Sequence, residues 1–167
     1  MALSGEQRFR VLVDEHAHTV ANYLRRRLYP LGTADLDDLV EETLIVAWRR
    51  VGDIPEGAEA PYLIGISRNV LKNAKRGAQR RTHYETSVRP VRDQDSAEDV
   101  VVADLAIRDA LEGLSDADRE VLLLNAWDGL DVEALARVFS ITTNAAAVRL
   151  SRAQKRFRDA LASTENA

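Results

Sequence analysis

The 167-residue sequence contains no cysteine, which excludes disulfide bonds and thiolate metal sites and is typical of a reducing compartment. Aromatic residues make up only 5% of the chain, and β-branched residues form no alternating runs, so no segment is predicted as a β-strand. No apolar run approaches the roughly 20 residues of a membrane span. The first nine residues, MALSGEQRF, do not resemble a signal peptide. These absences predict a cytoplasmic protein without a membrane span.

Helix-forming residues dominate what is present. Hydrophobic residues make up 46% of the sequence, and Leu, Ala, Arg and Glu are abundant, a composition that favours an all-α protein with a hydrophobic core. Apolar residues recur at helical spacing on both sides of a polar, acidic segment at residues 82–103. We therefore predict two small helical bundles, residues 1–81 and 104–162, joined by a flexible acidic linker.

Charge is segregated along the chain, although the formal net charge is only −4. Residues 62–81 carry six basic side chains and no acid, and residues 137–158 also contain no acid. Residues 35–59 and 85–104, in contrast, are rich in Asp and Glu. Two basic segments in an acidic chain predict two sites for polyanions and at least one surface for a basic partner.

The segment 131–161 has the pattern of a helix-turn-helix. Apolar residues at helical spacing define a short first helix and a longer second helix, namely Val132, Leu135, Ala136, Phe139, Ala146, Leu150, Ala153 and Phe157. Arg149, Arg152 and Arg156 form a row beside the apolar stripe of the second helix, with Lys155 next to them. A basic helix held by a short partner helix is the geometry that reads a DNA major groove. The alternative is an amphipathic hairpin with a solvated basic face.

A second basic helix is predicted from Pro61 to about residue 81. Its inner face is formed by Leu63, Ile66, Val70 and Ala74. Its cations lie opposite, at Arg68, Lys72, Lys75 and Arg76. A mixed stripe between the two faces consists of Tyr62, Asn69, Asn73 and Arg80. An aromatic ring and two amides beside cations suit stacking on and hydrogen bonding to unpaired bases. The alternative is a solvated charged helix with Tyr62 in the core.

An acidic helix is predicted from about residue 33 to residue 51. Its core stripe is formed by Leu36, Val40, Leu44, Ala47 and Val51. Leu39 and Val46 form a second, exposed apolar strip, which is flanked by Asp35, Asp38 and Glu42. An exposed apolar strip edged with acids suits the docking of a basic partner helix. Acids that merely stabilise the helix N-terminus are the alternative.

Three motifs carry a resemblance to a known family over nearly the whole chain. Residues 38–49, DLVEETLIVAWR, are similar to an acidic helix that ends in an Ala-Trp pair. Residues 62–69, YLIGISRN, are similar to the pattern WLxxIARN. Residues 148–153, VRLSRA, are close to SRLxRA in a recognition helix. In this order around an acidic linker, the motifs resemble the extracytoplasmic-function (ECF) group of bacterial RNA polymerase sigma factors.

The resemblance implies a fold, a function and a set of partners. Residues 1–81 would be sigma region 2, which binds core polymerase and the −10 element, and residues 104–162 would be region 4, which binds the −35 element. The implied partners are promoter DNA and core RNA polymerase, through its β′ clamp helices and β flap, and for many members an anti-sigma factor. The protein would be a promoter-specificity subunit and not an enzyme, without cofactor, catalytic residue or metal site.

The resemblance also implies roles for individual residues. Polymerase contacts fall on Asp35, Asp38, Leu39 and Glu42. Contacts to the −10 element fall on Tyr62, Arg68, Asn69, Lys72, Asn73, Arg76 and Arg80, with residues 52–61 as the loop beside an extruded base. Contacts to the −35 element fall on Thr143, Asn144, Ala147, Arg149 and Arg152, with Lys155 and Arg156 toward phosphates.

Some residues depart from the family pattern, and two other functional classes compete with it. The departures are Glu41 in place of Gln, Tyr62 in place of Trp, Glu59 in place of an aromatic residue, and Ser140 where the turn often has Gly. The chief rival is a stand-alone helix-turn-helix regulator whose N-terminal bundle senses a signal or dimerises. An enzyme is disfavoured because the sequence contains no Ser/His/Asp set, phosphate loop or metal-ligand spacing.

Overall fold

The computed structural model describes residues 4–84 and 105–165, and all regular secondary structure in those ranges is helical. The chain folds as two compact units, residues 1–99 and residues 100–167. The prediction of an all-α protein built from two helical bundles is therefore confirmed. Within the described ranges, no helix is both long enough and apolar enough to cross a membrane.

Unit 1, residues 1–99, is a three-helix bundle. Its elements are α1 (Gly5–Arg25), a 3₁₀ turn (Thr33–Asp35), α2 (Leu36–Arg49) and α3 (Glu59–Tyr84). Each helix packs against the other two. The largest fully buried side chains of the bundle are Tyr23, Leu24, Leu28, Ile54, Leu63 and Ile64. Ser4 and Gln7 form a capping box that satisfies the first amides of α1, with hydrogen bonds of 2.9 and 3.2 Å.

The buried face of α2 differs from the predicted one. Leu39, Thr43 and Ala47 are 4%, 0% and 0% exposed and follow the spacing i, i+4, i+8. The prediction that Leu39 lies on an exposed strip is therefore wrong, and the predicted core residues Val40 and Leu44 are only half-buried. Thr43 explains the difference, because its hydroxyl donates to the Leu39 carbonyl at 2.8 Å. A polar side chain thus enters the core with its hydrogen bond made.

α3 is longer than predicted at both ends. It begins two residues before Pro61, whose missing amide proton costs nothing in a first helical turn. It continues through Tyr84, so the first three residues of the predicted linker are helical. The remainder of the predicted linker, residues 85–103, lies outside the described residues.

The loop between α2 and α3 is attached to the bundle at two points. Ile54 and Ala58 are 1% and 7% exposed, and the three residues between them are exposed. The Arg8 guanidinium on α1 donates a hydrogen bond to the Ile54 carbonyl. Gly57 has φ +77°, a conformation that favours glycine, and it lets the chain turn back before α3 begins. The loop therefore has a short exposed tip next to the first turn of α3.

Unit 2, residues 100–167, is organised around its last helix. Its elements are α4 (Leu105–Glu112), α5 (Asp116–Ala126), α6 (Val132–Phe139) and α7 (Thr143–Glu165). α7 packs against each of the other three. The described part of unit 2 begins at Leu105, the first residue of α4.

Side-chain caps fix the short helices of unit 2. Ser115 is the N-cap of α5, and its Oγ accepts from the Asp118 amide at 3.2 Å. The Arg119 guanidinium donates three hydrogen bonds to the last carbonyls of the α4 turn, at 2.8 to 3.1 Å, on Leu111, Glu112 and Leu114. Arg119 thereby ties the start of α5 to the C-terminal end of α4 and the turn that follows it.

Candidate nucleic-acid and polymerase interfaces

α6 and α7 form the predicted helix-turn-helix. Asp131 caps α6 by accepting from the Ala134 amide at 2.8 Å, and Thr142 caps α7 by accepting from the Ala145 amide at 3.1 Å. Between the helices, Ser140 adopts the left-handed conformation with φ 53°. An L-residue is strained by about 1–2 kcal/mol there, which explains why glycine suits this turn.

The two helices bury small residues where they meet. Leu135 and Ala136 of α6 are 0% and 6% exposed, and Ala146, Leu150 and Ala153 of α7 are 0%, 8% and 0% exposed. All five were predicted as apolar positions by their helical spacing, and the short Ala side chains let the helices approach closely. The opposite face of α7 is thereby left free to meet a groove.

The residues predicted to read bases lie at the start of α7 and on its outer face. Thr143, Asn144 and Arg152 are exposed, and Ala147 is half-buried. Arg149 is also half-buried, because its guanidinium lies over the Phe139 ring at 4.7 Å from the centroid. This cation–π contact holds the Arg149 guanidinium against α6 and limits its orientation.

Two of the cations predicted to face phosphates form ion pairs within unit 2. Lys155 Nζ is 2.7 Å from Asp159 Oδ2, one turn further along α7. The Arg156 guanidinium is 2.6 Å from Asp118 Oδ2 on α5. Contact of Lys155 and Arg156 with phosphates stays a prediction, and each side chain is already paired with a carboxylate of unit 2. The first pair follows the i, i+4 rule and was readable from the sequence, whereas the second joins residues 38 positions apart.

Asp118 is the most strongly perturbed carboxyl group among the described residues. It is 7% exposed and accepts hydrogen bonds from Arg156 and from the Ser115 hydroxyl, the latter at 2.9 Å. The Arg156 guanidinium, and next the Ser115 hydroxyl, hold the pKa of Asp118 below its ordinary value of 3.8, against the opposing effect of burial. Asp118 is therefore ionised at neutral pH, and it ties α7 to α5.

α3 presents its predicted nucleic-acid residues to solvent. The exposed members of the predicted set are Asn69, Lys72, Asn73, Arg76 and Arg80. Tyr62 and Arg68 are half-buried, so the Tyr62 ring lies between the core and solvent. The predicted inner face is buried at Leu63, Ile66 and Val70, while Ala74 is half-buried. The exposed face of α3 thus offers two amides among three cations.

α2 presents carboxylates on one side and apolar side chains on another. Asp35, Asp38 and Glu42 are exposed, as predicted. The exposed apolar residues are not Leu39 but Ile45 and Trp48, at 43% and 45% exposure. They belong to a groove between α1 and α2, lined by Phe9, Val13, Val40, Leu44, Ile45 and Trp48 and edged by Asp37 and Glu41.

Trp48 is the central side chain of this groove. Its ring meets Phe9 edge to face, with centroids 5.1 Å apart and planes at 68°. A tryptophan nearly half exposed beside a row of carboxylates is unusual for a surface without a partner. The Ala-Trp pair at the end of the acidic helix was the available signal in the sequence, but no polymerase contact was predicted for Trp48.

Comparisons with known proteins match both units. Residues 12–81 match the model of sigma-70 region 2, and residues 104–157 match the model of sigma-70 region 4. The RNA polymerase sigma factor NccH of Alcaligenes xylosoxydans xylosoxydans is 27% identical over 98% of this chain and 92% of its own length. The ECF RNA polymerase sigma factor SigL of Mycobacterium tuberculosis is 30% identical over 89% of this chain and 86% of its own.

A solved structure has the same fold. The sigma factor RpoE from Bartonella quintana, in complex with the anti-sigma factor NepR, matches with a TM-score of 0.63 at 20% identity. The match covers 92% of this chain and 96% of RpoE. At this identity the likeness establishes the fold alone.

Two helical units that match sigma-70 regions 2 and 4, in that order, define a sigma-70-type transcription initiation factor. More narrowly, the chain belongs to the ECF family of RNA polymerase sigma factors. It is a DNA-binding, promoter-specificity subunit, which confirms the resemblance drawn from its motifs. Sigma factors are in general initiation factors without catalytic activity of their own. A stand-alone regulator is not favoured, because such a protein has no use for region 2.

Proposed function

We propose that α2 docks this sigma factor on core RNA polymerase, while the exposed faces of α3 and α7 bind the −10 and −35 elements. One observation carries the proposal: acidic side chains are exposed on α2, and basic and amide side chains are exposed on α3 and α7. Because the three surfaces lie on different helices with different charge, each suits a different partner.

Docking on polymerase would use the exposed carboxylates and the neighbouring groove. Asp35, Asp38 and Glu42 would pair with basic residues of the β′ clamp helices. Ile45 and Trp48 replace Leu39 as the apolar contacts, since Leu39 has almost no exposed surface. An apolar centre with a charged edge is the usual anatomy of a specific protein interface. The β flap would bind unit 2.

At the −10 element, α3 would hold one separated strand. Lys72, Arg76 and Arg80 would contact phosphates, while the amides of Asn69 and Asn73 bind base edges. Tyr62 and Arg68, both half-buried, would line the base of this surface, next to the exposed loop tip. Extruding a base costs a few kcal/mol, which these contacts would have to offset.

At the −35 element, α7 would enter the major groove. Thr143, Asn144 and Ala147 would face base edges, and Arg149 and Arg152 would contact bases or phosphates. Lys155 and Arg156 were predicted to face phosphates too, but carboxylates of the same unit compete for both. We therefore assign the main cationic contacts to Arg149 and Arg152.

The polymerase would carry out all the chemistry, so the proposal assigns this chain no catalytic residue, metal or cofactor. The chain would act in the cytoplasm, where core polymerase and DNA are found. An anti-sigma factor is a further proposed partner, because RpoE, which shares the fold, was solved in complex with one.

The decisive experiment is a pull-down with core RNA polymerase that compares wild type with Asp38→Arg. Reversing the charge of Asp38 should weaken core binding at least tenfold. The substitution replaces a carboxylate with a cation, which would repel the basic residues of the polymerase surface. Asp14→Arg on the outer side of α1 makes the same change of charge at an exposed position and should bind normally. A wild-type protein that fails to bind core would favour the stand-alone regulator.

Promoter specificity is tested by transcription of a genomic library with the reconstituted holoenzyme. Sequencing of the transcript starts should reveal two shared sequence blocks upstream of them. Asn73→Ala should alter dependence on the nearer block, and Asn144→Ala dependence on the farther block. The reverse assignment would contradict the proposed roles of α3 and α7.

A further inference from the structure

Asp118 lies at the third position of α5, where a carboxylate is close to the positive end of the helix. Its side chain is nearly buried, yet both of its neighbours donate hydrogen bonds to it. The Ser115 hydroxyl lies 2.9 Å away and the Arg156 guanidinium 2.6 Å away, both on Oδ2. Both hydrogen bonds stabilise the charged form of this carboxylate.

Arg156 reaches Asp118 from the fourth turn of α7. The two side chains differ in exposure, at 10% for Asp118 and 60% for Arg156. Because the bond joins α7 to the N-terminus of α5, it opposes any rotation or sliding of α7 along α5. The residues predicted to contact bases lie at the start of the same helix, so any rotation of α7 also changes their orientation.

Arg152 offers the contrast. It precedes Arg156 by four residues and therefore lies on the same side of α7, one turn closer to the reading residues. It is exposed, and it makes no ion pair with the part of the chain that the structure describes. A DNA phosphate would displace only water from Arg152. A phosphate that took over Nη1 of Arg156 would have to displace a nearly buried carboxylate, which would keep only the Ser115 hydroxyl as a side-chain donor.

We propose that Arg156 is a positioning residue of the recognition helix rather than a DNA contact: Asp118 holds it, fixing the angle at which α7 enters the −35 groove, and Arg152 makes the phosphate contact. The inference rests on the proposed −35 role of α7. It assigns two arginines of one helix face to different tasks. It also makes Asp118, an acid remote from the reading residues in sequence, a determinant of specificity.

The first test is a double-mutant cycle on the full-length protein, without polymerase or DNA. Asp118→Asn, Arg156→Gln and the double variant are unfolded by heat in a Trp48→Phe background, so that Trp127, then the only tryptophan, reports on unit 2. Each single variant should lower the Tm by about 4–8 °C, and the double variant by no more than one of them. Arg152→Gln, combined with Asp118→Asn, serves as the matched control and should be additive. If the decreases in Tm from Asp118→Asn and Arg156→Gln add up in the double variant, the inference is overturned.

The second test measures DNA binding by holoenzyme on the strongest promoter found by start-site sequencing. Arg152→Ala should reduce the slope of log K against log salt by about 0.9, as expected for one lost phosphate contact. Arg156→Ala should leave that slope unchanged and lower the preference for the intact over a scrambled −35 element. Asp118→Asn should behave like Arg156→Ala, and Arg156→Lys should restore part of the preference. An equal loss of slope at Arg156 would overturn the inference.

The two tests separate this inference from the proposed function. Failure of the wild type to bind core polymerase would refute the proposed function. The stability cycle involves neither partner, so it still shows whether Asp118 and Arg156 act as a pair.

Discussion

Leu39 and Trp48 lie nine residues apart on α2. Substituting each in turn should distinguish residues that stabilise unit 1 from residues that bind polymerase. Leu39 is 4% exposed, so Leu39→Ala should cost about 2–5 kcal/mol of unfolding free energy. In a domain of this size, about 1 kcal/mol corresponds to a Tm shift of about 4–8 °C, so the Tm of unit 1 should fall by about 10 °C or more. Core binding, measured where the variant is still folded, should be unchanged.

Trp48→Ala should weaken core binding strongly and lower the stability of unit 1 only slightly. Trp48 is 45% exposed, and its edge-to-face contact with Phe9 contributes about 0.5–1.5 kcal/mol, so the expected loss of stability is about 1–2 kcal/mol. If the groove is the centre of the polymerase interface, removing an aromatic anchor should cost at least about 2 kcal/mol of binding, or roughly a thirtyfold weaker Kd. Val11→Ala, which alters an apolar residue that is 44% exposed and does not line the groove, is the control.

Stability is measured by urea unfolding, with circular dichroism as the signal. Core binding is measured by titrating labelled protein with core polymerase. An unchanged urea midpoint for Leu39→Ala would refute the packing of α2. Wild-type affinity for core in Trp48→Ala would refute the groove as a docking surface. Because the two losses are expected in different measurements, a general weakening of the fold cannot imitate both.

Two further predictions concern unit 2. Ser140→Gly should stabilise unit 2 by about 0.5–1 kcal/mol, because glycine adopts the left-handed conformation of this turn without strain. Thermal unfolding measures the gain, and Ser151→Gly on the exposed face of α7 should instead destabilise unit 2 by about 0.5 kcal/mol. As the pH falls below about 4, unit 2 should lose stability, since the pKa of Asp118 lies below 3.8 in the native state and the unfolded chain then binds more protons. Asp118→Asn should make the stability of unit 2 depend less on pH below about 4. Asp109→Asn, which changes an exposed carboxyl group, is the control and should keep the pH dependence of the wild type. The same pH dependence in Asp118→Asn as in wild type would refute the role of Asp118.

Much of the helix-turn-helix followed from the sequence, because local rules and tertiary packing agree there. Ala146, Leu150 and Ala153 recur at helical spacing and are buried, and Thr142 is a cap that acts within its own turn. Each of these features depends on residues at most seven positions apart. Such information is fully present in a single sequence.

The errors arose where the deciding partner is distant or where a polar residue is buried. Thr43 satisfies its hydroxyl on its own helix and enters the core, which rotates the buried face of α2 by about one residue and hides Leu39. Arg156 looked like any other cation of a basic row, because Asp118 lies on another helix. Periodicity cannot reveal either effect, since it counts apolar residues and has no information on pairing between helices.

The pairing of Lys155 and Arg156 with carboxylates limits the charge that α7 offers to DNA, and this fits the function of a polymerase subunit. A free basic helix with five available cations would bind any duplex and would be sequestered by non-specific DNA. A sigma factor needs no high intrinsic affinity, because docking on polymerase converts −10 and −35 recognition into intramolecular steps at high effective concentration. Internal carboxylates that reduce non-specific attraction, together with an acidic α2 that repels DNA, therefore raise selectivity for promoters that both units can contact at once.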